Sequence, residues 1–353
     1  MVNIRDYDEV LDDDNKPFEK YDFNEFVGGH NDNSFVLCEG DIFYQLFDEI
    51  KYNPNCSYVT YLNDFIKRYY DGEELPISNI SCFKKDVDHS FIEHTVSRLA
   101  NELGIPTQYS IYISGDSVEE RRDKIVEFLN SKANTANLRI NTGYLLSVDF
   151  IGGNERFETI ENYLRKDKRS INDLNNVIEG DYLRKWYAEM IIRSDEDFVN
   201  PFNNEALSID IRKRLFGEFL PQYFFKKYIV RDADLASSNE GIIFNTETGE
   251  YKISPMYDGE YCFHGYSKLT QEQKERIQLR LQDELTFAYR LYPEIMEEFI
   301  TKVWDLYHSN TINDKWMDIN AYGLIPDYKK YIFECLDDFV DAINSLNLGR
   351  GLS

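Results

Sequence analysis

The sequence predicts an α+β protein of two lobes, and three observations carry that expectation. Strand-like runs with few helices occupy the first 150 residues, long helical segments occupy the rest, and the pattern changes near Gly152 and Gly153. A length of 353 residues fits about two domains at roughly 150 residues each. The expected divisions are an acidic N-terminal arm over 1–26, a sheet-rich N-lobe over 27–152 and a helical C-lobe over 153–353.

Each element follows from local pattern. "NSFVLCE" and "DIFYQLF", split at Gly40, predict a hairpin preceded by "VGGHND". "YVTYLNDFIKRYYDG" has helical spacing and a glycine stop, and "SNISCF" is a short apolar run with strand character. Residues 90–103, "SFIEHTVSRLANEL", set Ile92, Val96, Leu99 and Leu103 on one helical stripe, with Gly104 and Pro106 as stops. "TQYSIYIS" and "GYLLSVDFI" predict strands flanking a charged helix, "SVEERRDKIVEFLNSKA". From about residue 155 the segments "RFETIENYLRK", "DYLRKWYAEMII", "ALSIDIRKRLFGEFLPQYFFKKYIV", "QEQKERIQLRLQDELTFAYRLY", "EIMEEFITKVWDLY" and "DYKKYIFECLDDFVDAINSL" all predict helices. One hairpin, "EGIIFNTETGEYKIS", interrupts them.

Composition narrows the function classes. A hydrophobic fraction of 42% with 26 Tyr and 24 Phe supplies the apolar surface that a folded chain needs. Asp and Glu number 64 against 39 Lys and Arg, a net charge of -25, which repels nucleic-acid backbones and anionic membrane surfaces. That charge reads as a halo of solvated carboxylates or as mimicry of nucleic acid toward a basic partner. The five cysteines are scattered without a CxxC pair, so neither a disulfide framework nor a zinc ribbon is indicated and a cytoplasmic setting is expected. The opening residues lack the apolar stretch of a secretory signal, and no apolar run is long enough to span a bilayer, so no membrane partner is expected. His89 and His94 do not share a helical face, and HExxH, GxSxG and P-loop patterns are absent.

The chemistry concentrates in "YIVRDADLASSNEGIIFNTETGEYKISPMYDGEYCF", residues 228–263. Asp234 and Asn239 stand five residues apart, the interval between the catalytic carboxylate and the metal-binding amide of protein-kinase loops. The spacing lets a carboxylate accept the hydrogen bond of an attacking hydroxyl while an amide oxygen a short loop away meets a cation. Asp258 follows the hairpin, whose turn returns the chain toward the same end, and can supply a second hard oxygen of the kind magnesium requires. Each of the three taken alone reads more readily as an ordinary turn residue; the functional reading rests on the trio bracketing a hairpin.

The stretch "DLASSNEGIIF…YKISPMYDGEY" resembles the catalytic and metal-binding segment of the HipA-type serine/threonine kinases, in which a D-x-x-x-x-N loop precedes a hairpin ending in a "P-L-Y-D" type motif. Pro255, Met256, Tyr257 and Asp258 occupy that motif here, and Ala236 stands where relatives often have His. The resemblance implies a protein-kinase-like fold, with Asp234 as catalytic base and Asn239 and Asp258 holding magnesium. It extends to "FVGGHNDNSFVLCEGDIFYQLF", similar to a nucleotide loop with Gly28, Gly29, Asn31 and Ser34, which also reads as a plain turn. It makes Glu93 the helix acid that pairs with the nucleotide lysine, although Ser90-x-x-Glu93 is also a capping box. Relatives carry that lysine in an "L-K-F-P" type motif, whereas this chain reads Tyr44, Gln45, Leu46, Phe47, Asp48. Lys84 or Lys85 replaces it if "SNISCF" is a strand within the sheet; otherwise the two open a surface turn.

The expectation is therefore phosphoryl transfer, dependent on ATP and Mg, to a serine or threonine of a protein substrate. Two other classes stand beside it: a pseudokinase that binds without transfer, motivated by the missing lysine, and an acidic interaction protein that engages a basic partner, motivated by the net charge.

Overall fold

The computed structural model describes residues 35–39, 79–108, 110–114, 142–148, 155–164 and, with short gaps, 181–348. For 35–39, 79–90, 110–114 and 142–148 the description is of the backbone. Strands and helices both occur, so the mixed class expected from the pattern is observed. The chain divides into two compact units, one of residues 1–94 and 108–150, the other of 95–107 and 151–353.

In the first unit four strands, β1 (Phe35–Glu39), β2 (Asn79–Asp86), β3 (Ser110–Ser114) and β4 (Thr142–Val148), form an antiparallel sheet in the order β1-β2-β4-β3. The run "DIFYQLF", expected to pair with β1, lies outside the described residues, as do the two helices expected over "YVTYLNDFIKRYYDG" and "SVEERRDKIVEFLNSKA". β2 runs through Lys84 and Lys85, which stand opposite Tyr144 and Gly143 of β4. The surface-turn reading of the two lysines is thus corrected. Their backbone is committed to the ladder, which a turn would break.

α1 (Val87–Glu102) follows β2 without a break. Its expected stripe of Ile92, Val96, Leu99 and Leu103 is buried, and Gly104 ends it at φ +66, the left-handed conformation that glycine adopts freely. Because the helix begins at Val87, Ser90 lies inside it, so the capping-box reading of Ser90 and Glu93 falls.

The second unit holds a three-stranded sheet, β5 (Glu155–Thr159), β6 (Gly241–Asn245) and β7 (Tyr251–Ile253), in that order. The hairpin β6–β7 was expected. β5 was not: "RFETIENYLRK" reads as helix, but among the described residues of that run the helix is the short α2 (Ile160–Tyr163). β6 is buried from Gly241 to Phe244, so its outer backbone groups need a partner, and β5 supplies one from Glu155↔Asn245 to Thr159↔Gly241.

Helices complete this unit. α3 (Tyr182–Tyr187) runs into a π-helical turn at Ala188–Ile192, and α4 (Ile209–Phe224), capped by Ser208, runs into another at Phe225–Ile229. α5 (Gln271–Leu291) opens on a capping box of Thr270 and Gln273, and α6 (Pro293–His308), α7 (Asp314–Asn320) and α8 (Pro326–Leu346) follow. The core gathers on α4: Phe219 meets Trp186, and Phe224 meets Tyr228, Phe299 and Phe339. Each large apolar side chain buried this way contributes about 1.5–3 kcal/mol. Ile332, Cys335, Leu336 and Phe339, spaced as a helical stripe, are all buried. Among the described residues no helix is long and apolar enough to cross a membrane.

Candidate functional site

The segment that holds the candidate residues leaves the π-helical turn after α4 under close backbone control. The Asp232 amide donates to the Lys226 carbonyl at 2.8 Å, and Arg231 adopts φ +49, a left-handed conformation uncommon for a residue with a Cβ. The Phe263 amide donates to the Val230 carbonyl at 2.7 Å, and the Ala233 amide to the Tyr261 carbonyl at 3.3 Å. Chain before Asp234 is therefore held against chain after Asp258.

The hairpin between these segments is tied on both sides. The Ile160 amide donates to the Glu240 carbonyl at 2.8 Å, and the Ser254 amide to the Gly241 carbonyl at 2.9 Å. Gln222 Nε2 reaches the Ser254 carbonyl at 2.9 Å, which anchors the exit of β7 to α4. Past the hairpin, the Met256 amide donates to the Pro106 carbonyl at 2.8 Å, and Thr107 Oγ1 donates to the Met256 carbonyl at 3.3 Å. Gly259 approaches Val96 so closely that a Cβ there would lie 3.2 Å from a valine methyl.

Between the π-helical turn and the entrance to β6 lies a buried ion pair. Lys226 Nζ stands 2.7 Å from Glu240 Oε1 and donates to the Asn239 carbonyl at 3.3 Å, and both charged side chains are essentially inaccessible. Burial works against the Lys226 charge, but Glu240 and Asp232 outweigh it and hold the ammonium above its ordinary range. Burial likewise pushes the Glu240 carboxyl up, against the pull of Lys226. The neighbouring Lys227 points into a second cluster. Glu284 accepts from Lys227 Nζ at 3.0 Å, Tyr223 Oη at 2.9 Å and Tyr228 Oη at 2.7 Å, all buried. Burial lowers the Lys227 ammonium and raises both phenols.

Neither lysine was expected to matter from sequence. The signal was present: "PQYFFKKYIV" sets two cations inside an otherwise apolar helical run, where charge must find a partner or be extruded. Lys226, wholly buried, is not placed to meet a phosphate.

Of the sequence-predicted site residues, Asn239 is half-buried at the entrance to β6, Glu93 is buried on α1, and Lys84 and Lys85 lie within β2. Asp234, Asp258, Gly28, Gly29, Asn31 and Ser34 fall outside the described residues. Among the described residues no group of three His, Cys, Asp or Glu side chains is close enough to hold a metal ion.

No protein-family model matches the sequence, and no curated protein matches it. Among solved structures, the chain is similar to the proinflammatory kinase CtkA of Helicobacter pylori, with 13% identity over 78% of this chain and 90% of that one at a TM-score of 0.42. It is similar also to a structure of Shewanella oneidensis HipA with HipB and operator DNA, with 11% identity over 76% of this chain and a TM-score of 0.43. The match spans 60% of that second chain's length. Likeness of this order does not place the chain in a family.

Proposed function

We propose that this protein is a two-lobed, HipA-like kinase that transfers the γ-phosphoryl group of ATP, with magnesium, to a serine or threonine of a protein substrate. The observation that carries the reading is the Ala233–Tyr261 backbone bond, which holds the stretch just before Asp234 beside the stretch just after Asp258, with Asn239 leading into the intervening hairpin. A D-x-x-x-x-N loop followed by a hairpin and a second Asp needs this return of the chain to serve one cation.

Two carboxylates and an amide are hard oxygen donors, a set suited to magnesium. Asn239 and Asp258 would hold the ion, which when bound neutralises phosphate charge. Asp234 would orient the substrate hydroxyl and take its proton as the new phosphoester forms and ADP departs. The Gly28–Ser34 loop would cover the phosphates, with Lys84 or Lys85 pairing to Glu93. Placement of both lysines in β2 supports that substitution, since a nucleotide lysine is expected on a strand of the sheet.

Transfer from labelled ATP to a generic protein acceptor or to the chain itself tests the proposal. Asp234→Ala and Asp258→Ala should each abolish it; undiminished transfer in both would remove the mechanism. The absence of lysine from Tyr44 to Asp48 sustains the pseudokinase reading. A melting-temperature rise with ATP and magnesium, corresponding to about 2.7 kcal/mol at a hundredfold excess over Kd, but no transfer would select it.

A further inference from the structure

One residue meets both ends of the loop that carries the candidate chemistry, with its backbone at the start and its side chain at the end. The Lys226 carbonyl accepts from the Asp232 amide at 2.8 Å, where the loop begins. Its ammonium donates to the Asn239 carbonyl at 3.3 Å and to Glu240 at 2.7 Å, where the loop ends. A lysine in an ordinary surface helix turn would spend its three donors on water. Here the π-helical turn Phe225–Ile229 directs it inward, and its side chain is 0% exposed. Glu240 fixes the ammonium, and the ammonium in turn fixes the peptide group of the residue immediately before it.

We propose that Lys226 is a positioning residue for Asn239: it closes the loop from Asp232 to Asn239 and sets the backbone from which the Asn239 amide reaches a divalent cation. The proposal rests on the reading of Asn239 as a magnesium ligand. Lys226 does not touch the cation; it acts through the Asn239 carbonyl, and Glu240 acts through Lys226. Groups that hold a ligand from behind in this way commonly change metal affinity by about 10- to 100-fold when removed.

The test is manganese(II) binding to the full chain in the presence of ADP, followed by the electron paramagnetic resonance signal of the free ion, alongside thermal melting. Lys226→Met combined with Glu240→Leu replaces the pair with side chains of similar volume, and Asp232 is then a buried carboxylate that has lost the Lys226 charge. This variant should still melt cooperatively, at a temperature lowered by the loss that Asp232 feels, and bind manganese at least about tenfold more weakly. Lys226→Arg, which keeps the charge and the donors, should recover most of the affinity. A folded double variant with wild-type affinity, alongside an Asn239→Ala variant that has lost binding, overturns the positioning role and leaves the metal reading standing. If Asn239→Ala itself binds manganese as wild type does, both fall. Should the double variant not fold, Lys226→Gln combined with Glu240→Gln decides instead, because the two amides can bond to each other without a Glu240 charge left in the interior, and the shorter side chain withdraws the donor from Asn239. Weakened binding in that variant supports the proposal, and unchanged binding overturns it.

Discussion

Gly241 opens β6 opposite Thr159, and a Cβ on it would lie 2.0 Å from the Phe157 ring. Gly241→Ala should therefore cost about 1–3 kcal/mol in denaturant unfolding, the range for forcing a methyl into a packed core. Phe157→Leu should offset part of that loss, because the two sites share one space. Additive losses would show that the ring is not the obstacle. Cys335 offers a second test, in pH. Burial pushes its thiol up to about 11 from the ordinary 9.0, with Arg231 pulling the other way. The unfolded chain thus gives up its thiol proton before the folded one, so this contribution is intact below pH 9 and is lost as pH rises from 9 toward 11. The full span is worth about 3 kcal/mol. Tyr223 and Tyr228 titrate in the same direction at higher pH, so the measurement is the difference between wild type and Cys335→Ala in alkaline chemical denaturation. Equal slopes for the two proteins between pH 9 and 11 would refute it.

The π-helical turn after α4 sends consecutive lysines to different partners, Lys226 to Glu240 and Lys227 to Glu284 on α5. Lys227→Met alone should destabilise by about 3–5 kcal/mol, since Glu284 keeps a buried charge. Adding Glu284→Leu should not restore stability, because the Tyr223 and Tyr228 hydroxyls then lose their acceptor at about 1–3 kcal/mol each. Only the further changes Tyr223→Phe and Tyr228→Phe should bring the melting temperature back, and recovery with the double variant alone would disprove the shared network. These partnerships mark the limit of what was legible in the sequence. The β6–β7 hairpin could be read because its signals are local: apolar alternation, and a turn in which Asn245 Oδ1 accepts from the Glu247 and Thr248 amides while Gly249 takes φ +73. The stripe on α1 is equally local. β5 could not be read, since its extended conformation answers the unpaired edge of a strand more than eighty residues later. Lys227 likewise answers a carboxylate 57 residues away. The spacing of Asp234, Asn239 and Asp258 was visible, whereas the buried lysine that closes the loop beneath Asn239 required the fold.

For the whole molecule, a net charge of -25 implies mutual repulsion that ions should relieve. Raising sodium chloride from about 0.01 to 0.15 M shortens the screening length from about 30 to 8 Å, so the melting temperature should climb by a few degrees. A decline would mean that screened attractive pairs, such as Arg184–Asp283, matter more than the excess charge. The division of the chain also fails to follow its linear order, because residues 95–107 count with 151–353. Thr95 donates to the Asn320 carbonyl, Glu102 accepts from the Trp316 indole, and Pro106 accepts from Met256. A fragment cut at residue 151, the obvious place to sever the chain, would leave these three partners facing solvent together with the Val96 contact of Gly259. Such a fragment should be poorly soluble alone and rescued by a synthetic peptide of residues 95–107 supplied in trans. The helix fragment would then behave as a detachable ligand, with a dissociation constant that reports how firmly Met256 is held.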